Sequence, residues 1–461
     1  MKQRNGADLG SAPVGKLLFS LSLPTITSQI VNMLYNLVDR VFIGHMQPAE
    51  TVGKLALTGV GVCFPVIMFV SAFAALMAMG GAPMASIEEG RGNTKRSEQI
   101  MGNSFSLLLI TAAVLTVVYQ LFAQPLLTTF GASENTIAYA LDYMRIYSLG
   151  TVFVQITMGM NAYITAQGFT SVSMQTVLIG AVLNVILDPI FIYLLDMGVQ
   201  GAALATIVSQ AVSAAWVLRF LTGPKTKWQL RRKNLRLQPK VFLPCLALGL
   251  SPFIMQSTEC LTTMSFNTSL LKYGGDVAVG AMTVLTSIML FALMPLQGLS
   301  HGAQPIISYN FGARNAQRVR QAFSYLLRIC LVYSIVIWGI IQLFPQVFIR
   351  LFNNSPELVD YAAWALRIYM GSTCIFGIQI ACQHTFVALG NAKASLFLAA
   401  LRKIILLIPL IFILPHFFAD KAFAVFLAEP VADLLAVAST ALLFSRQFKR
   451  GMAQLENPIQ A

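Results

Sequence analysis

The sequence predicts an all-α membrane protein of about twelve transmembrane helices, in two parallel-repeat six-helix lobes around a central cavity. Three observations predict it. First, the 461 residues are 56% hydrophobic and only 11% charged, where a soluble domain carries about a quarter charged residues. Second, the apolar residues gather into stretches long enough to cross a bilayer, which takes about 20 residues. Third, the second half of the chain repeats the first.

The spans read as 16–44, 56–86, 99–121, 136–167, 172–195 and 201–221, then 241–272, 277–308, 320–344, 358–389, 394–417 and 422–445. Basic residues crowd into alternate connections: Lys2, Arg4 and Lys16; Arg91, Lys95 and Arg96; Arg219 through Lys240; Arg314, Arg318 and Arg320; Lys393; Arg446, Lys449 and Arg450. The intervening loops hold few, such as Lys54, Lys272, Arg350 and Lys421. By the positive-inside rule this alternation predicts an even number of spans with both termini in the cytoplasm. It also accounts for the net charge of +13 without nucleic acid. The polar start and long first span lack a cleavage signal, so the first span is expected to be retained. Cys63, Cys245, Cys260, Cys330, Cys374 and Cys382 lie in or beside apolar segments and read as small core residues.

Leu121-Phe122-x-Gln124 recurs as Leu343-Phe344-x-Gln346, Arg145-Ile146-Tyr147 as Arg367-Ile368-Tyr369, and Gly168 as Gly390. Ser86, Gly90 and Asn93 recur as Ser308, Gly312 and Asn315, and every pair is 222 residues apart. The expected organisation is an N-lobe over 1–222, a basic cytoplasmic linker over 223–240 and a C-lobe over 241–461. Six spans per lobe make the repeats parallel, related by an axis along the membrane normal. Two such bundles can rock around a central cavity, although duplication without alternating access is the other reading.

Asp188 is the one charge in Val177–Leu195. A carboxylate in hydrocarbon costs roughly 3 kcal/mol even on lenient scales, so it marks a functional position by default. Asn184 lies one helical turn before it. Gln29, Asn32, Tyr35, Asn36 and Asp39 step by three and four along the first span and share a face. Thr206 follows the small-residue run Gly201-Ala202-Ala203, which permits close helix approach. Counting residues from the span ends puts Asp39, Asp188 and Thr206 within about 10 Å of the outer boundary. The repeat does not share these groups: Asp39 falls opposite Asn267, and Asn184 and Asp188 opposite Leu406 and Leu410. Two carboxyls, an amide oxygen and a hydroxyl are hard ligands for a small cation; alternatively the carboxyl pair holds a proton. For Asp39, a boundary pairing with adjacent Arg40 is the competing reading.

These residues carry a resemblance over nearly the whole chain. It is similar to the multidrug and toxic compound extrusion (MATE) transporters, nearest the bacterial DinF-like and MepA-like branch. The specific pieces are Pro24 with Asp39 fifteen residues on, Asn184-x-x-x-Asp188-Pro189, and Thr206 eighteen residues after Asp188. The resemblance implies a cation- or proton-binding site at Asp39, Asn184, Asp188 and Thr206. It also implies export of lipophilic organic cations from the bacterial inner membrane against inward H⁺ or Na⁺. Pro24, lacking a backbone donor, is the expected gating bend.

Glu259 resembles the acid of the NorM-type branch, but the span-ten acid of that branch is missing from Cys374 through His384. Glu259, with Tyr35 and Asn36, is therefore a candidate for cationic substrate or a second proton, or else a buried acid bonded to Thr258 or Thr262. A ring such as Tyr35 suits a cationic drug, and 20 methionines suit broad selectivity.

Arg402 and Lys403, deep in span eleven, are expected to pair with Glu429 and Asp433, with substrate binding as the alternative. Arg145 and Arg367 read as outer-side anchors, and His301 and His384 as packing residues rather than a relay. No P-loop, HExxH or GxSxG motif appears in a supporting context, so no enzyme activity and no cofactor beyond the coupling ion are expected. The expected partners are small cationic molecules and the lipid bilayer, with a monomer sufficient. A flippase for lipid-linked precursors and a non-coupled channel or scaffold are the rival readings.

Overall fold

The computed structural model describes residues 7–46, 52–352 and 355–456; Lys2 and Arg4 of the basic pattern lie outside the described residues. The chain is helical nearly throughout. Helices α1 (Val14–Gly44), α2 (Lys54–Gly90), α3 (Thr94–Thr129), α4 (Ile137–Leu149), α5 (Thr151–Ala166), α6 (Thr170–Pro189) and α7 (Gly198–Thr222) build the first lobe. Helices α8 (Pro239–Gly312), α9 (Ala316–Leu343), α10 (Pro345–Arg350), α11 (Pro356–Tyr369), α12 (Thr373–Ala388), α13 (Ala392–Ala400), α14 (Ile408–Ile413) and α15 (Lys421–Glu456) build the second.

Nine described helices are long and apolar enough to cross a membrane, and α11 with α12 make a tenth crossing bent by 50°. Two more are hidden in this count. The 74-residue α8 is a hairpin of two helices. Its Cys245 abuts Gly80 of α2 and its Tyr309 abuts Gly90, only ten residues further along α2. A straight helix would separate those 64 residues by about 96 Å. The chain reverses at Gly275, where φ is 67°, a conformation open to glycine at little steric cost. The pair α4–α5 lies 222 residues before α11–α12, and its break at Gly150 matches theirs at Gly371 and Ser372. That makes the twelve crossings the sequence predicts.

Local rules set the repeat starts. Asn93 accepts from the Arg96 amide at the head of α3, and its counterpart Asn315 accepts from the Arg318 amide at the head of α9. Such caps satisfy amides that have no partner within the helix. At the other membrane face, Gln120 donates to the Arg145 carbonyl as Gln342 donates to that of Arg367.

The sequence reading took 136–167 and 358–389 as single spans; the structure breaks the helix at Gly150 in the first and bends the second by 50°. It also took 394–417 as one α-helix. Residues Leu401–Leu407 instead form a π-helical turn between α13 and α14, and Ile190–Leu194 form another after α6. Such turns insert a residue into the helical ladder and recur at functional sites.

The lobes meet through reciprocal contacts. Gly90 lies against the Tyr309 carbonyl, while Gly312, its repeat partner, lies against that of Ile87. Gly249 lies against Leu76, and Gly298 and Gly302 against Ile26 and Ser22 of α1. Thr25 donates to the Gly298 carbonyl across the lobes at 2.6 Å. All these approaches fall in the helix ends nearest the two termini, so the lobes are closed on that face.

The segment before α1 straps this face. Asn310 and Arg318 both donate to the Leu9 carbonyl, and Arg318 also to that of Ala12. Lys227 of the connecting segment donates to Ala7. Hydrogen bonds from the Ser11 hydroxyl and amide hold the Asp8 carboxyl below the usual range.

The close approach at Gly249 gives a test. Gly249→Val forces the two backbones apart, because an added Cβ would overlap the Leu76 carbonyl. The closed packing is expected to lose population at least about tenfold, the effect of a strain above about 1.4 kcal/mol on that state. Cys245, buried beside this contact, should gain maleimide reactivity when the other five cysteines are Ser. Unchanged labelling would contradict the packing.

Candidate functional site

The candidate site lies in the first lobe, where α1, α4, α6 and α7 converge. Asn184 and Asp188 are one turn apart on α6 and both buried. The Asn184 side-chain amide donates to Asp188 Oδ1 at 3.1 Å. Asp39 comes from α1, and its carboxyl lies within hydrogen-bonding reach of the Asp188 carboxyl. Two acids this close repel each other unless a proton or a cation sits with them. Asp39 Oδ1, Asp188 Oδ2 and Asn184 Oδ1 are all buried without a hydrogen-bond partner. Buried acceptors left open are costly, so three on these three residues favour a guest that supplies positive charge.

Thr206 stands at the edge of this group. Its hydroxyl donates to the Ala202 carbonyl one turn back, which leaves its lone pairs available, and the Tyr143 hydroxyl lies beside it. Tyr143 and Tyr147 stack with ring centroids 5.8 Å apart, walling the site from α4. Tyr143 was missed in the sequence, where a tyrosine in an apolar segment carries no signal comparable to a charge. Tyr35 is near both acids. Asn36 is exposed and donates back to the Asn32 carbonyl at 2.6 Å, so it borders the site rather than entering it. Arg40 lies over the Phe64 ring at 5.3 Å.

Pro24 lies inside a continuous α1 and is buried. Hydroxyls crowd around it: Ser28 donates to the Pro24 carbonyl and Thr27 to that of Leu23. The expected bend is therefore not formed in this structure.

Glu259 is not in this group. The reading that bonds it to Thr258 or Thr262 is corrected: those hydroxyls donate to Ile254 and Thr258 carbonyls. Glu259 instead pairs with Lys403 at 3.0 Å. Arg402 pairs with Glu429 at 2.9 Å and with Asp433 at 2.7 Å, and lies 4.5 Å from the centre of the Phe376 ring. Of the two bases, then, Arg402 forms the ion pairs to α15, while Lys403 pairs with Glu259 of α8. His301 and His384 pack edge to face with centroids 5.4 Å apart. Among the described residues, no three His, Cys, Asp or Glu are placed to hold a metal ion. The first-lobe group offers two acids, an amide and a hydroxyl, a donor set that fits a proton or a single small cation.

Comparison with known proteins gives the same architecture. The chain is 24% identical to the multidrug export protein MepA of Staphylococcus haemolyticus, over 92% of each chain. It is 26% identical to an FAD transporter of Shewanella oneidensis, over 94% of this chain and 95% of that one. A solved structure described as MATE in the bent conformation superposes with a TM-score of 0.90 at 22% identity, covering 97% of this chain and 98% of that one. The family model described as MatE matches residues 24–190 and 252–413, one segment in each lobe. The chain belongs to the MatE family of transporters.

Proposed function

We propose that the protein is a secondary active multidrug exporter that exchanges lipophilic organic cations for inward H⁺ or Na⁺ by alternating access. The coupling ion binds at Asp39, Asn184, Asp188 and Thr206. The observation that carries this reading is the meeting of the Asp39 and Asp188 carboxyls beside three unsatisfied buried oxygens. The lobes are closed on the terminal face, and this group lies toward the far ends of α1 and α6, where an incoming ion would first reach it. Ion binding neutralises the acids and changes what α1 prefers as a neighbour. Substrate and ion then disfavour each other, as exchange requires, and that coupling is reciprocal.

An anionic nucleotide is the second reading, favoured by the identity to the Shewanella FAD transporter. Phosphates would call for uncommitted cationic side chains. Arg402 and Lys403 are already committed to Glu429, Asp433 and Glu259, which supports the cationic substrate.

Proteoliposomes preloaded with ethidium test the proposal. Imposed pH or Na⁺ gradients are expected to drive efflux uphill, with FAD giving no gradient-dependent flux. Efflux indifferent to both gradients would favour a channel.

Pro24→Ala tests the bend in α1. Proline removes one ladder bond and weakens the helix there, so restoring it is expected to slow turnover several-fold with ion binding intact. Unchanged transport would remove Pro24 from the mechanism.

A further inference from the structure

The second lobe holds a charge cluster that the first lobe lacks. The positions 222 residues before Arg402, Lys403, Glu429 and Asp433 are Gly180, Ala181, Ile207 and Ala211. The cluster gathers two bases, Arg402 and Lys403 of the π-helical turn, and three acids. Glu259 comes from α8, and Glu429 and Asp433 come from α15. Tyr369 of α11 is the other titratable group facing Glu429. Fully ionised, the cluster would carry one excess negative charge inside a protein in hydrocarbon, which is costly.

The hydrogen bonds locate that excess. Asp433 Oδ1 accepts from Arg402 Nε, and Oδ2 accepts from the Ser372 hydroxyl at 3.2 Å. Glu259 pairs with Lys403, and its side chain is 45% exposed. Glu429 is 1% exposed. Its Oε1 accepts from Arg402, but its Oε2 is buried with no partner. Two of the three acids are thus provided for on both counts, and the third has an open oxygen in a dry place.

We propose that Glu429 is a proton-binding site of the second lobe, separate from the first-lobe carboxyls, with the proton on Oε2. Arg402 and Lys403 then balance ionised Glu259 and Asp433, and the cluster is neutral. A cavity with room for about two waters, about 30 Å³, lies beside both bases and is lined by Gln379, Gln383 and His384. The cavity ends at Arg402, which bonds Glu429, and at Lys403, which pairs with Glu259.

Infrared difference spectra of the purified full-length protein, between neutral and alkaline pH, test this. Surface carboxyls are already ionised over that range. The first-lobe acids are both aspartates, so labelling with isotope-substituted glutamate separates the two sites in the wild-type protein. A protonated-carboxyl band that shifts with labelled glutamate is expected. It should lose its sensitivity to glutamate labelling in Glu429→Asp, which keeps the charge balance, and persist in Glu259→Asp and in Asp39→Asn/Asp188→Asn. Absence of any glutamate band in wild type would overturn the proposal. So would a glutamate band that survives Glu429→Asp, or one lost in Glu259→Asp alone.

Discussion

Asp188→Asn is expected to abolish gradient-driven ethidium efflux while leaving the protein folded. The substitution keeps the shape and the bond to Asn184 but removes the charge that draws in the ion. A charge-assisted bond contributes about 1.5–3 kcal/mol, so ion affinity should fall roughly 10- to 150-fold. Folding should survive because the buried carboxyl lacks a basic partner: Asp188 is bonded to Asn184 and faces another acid. The measurement is initial efflux rate against gradient size in proteoliposomes, with thermal melting in detergent as the folding control. Undiminished coupled efflux would reject the site.

Arg402→Met is expected to give the largest loss of stability. Arg402 is buried and bonds both Glu429 and Asp433. Removing one partner from a buried ion cluster leaves charge uncompensated and typically costs about 3–5 kcal/mol. The triple variant Arg402→Met/Glu429→Gln/Asp433→Asn should recover most of that, because its buried groups are neutral. Chemical denaturation in mixed micelles measures both. A loss below about 1 kcal/mol for Arg402→Met would mean that the cluster is hydrated and that its charges are not confined.

The difference between these two predictions follows what the sequence makes legible. The crossings and the duplication are visible because apolar length and a fixed 222-residue offset survive in the letters. The breaks at Gly150 and Gly371 are not, because hydrophobicity continues unchanged across them while only the backbone dihedrals alter. The π-helical turn at Leu401–Leu407 is hidden for the same reason. Asp39 and Asp188 stand out as charges in apolar segments, and Asn184 through its spacing from Asp188. Their meeting depends on how α1 packs on α6, which periodicity does not fix. Tyr143 adds no charge and so no signal, although it lines the same group. In the second lobe the five charged residues are legible, and so is the pairing of Arg402 with Glu429 and Asp433, but the pairing of Lys403 with Glu259 is not. Whether Lys403 meets Glu259 or Glu429 is decided by the rotation of one π-helical turn between α8 and α15.

The most direct test of the account is equilibrium binding of tetraphenylphosphonium to the purified protein, titrated with protons and with Na⁺. If the Asp39–Asp188 pair is where the ion binds in competition with substrate, raising one of these ions should weaken binding in wild type. That dependence should disappear in Asp39→Asn/Asp188→Asn while binding itself persists. The same ion dependence in the double variant would contradict the account.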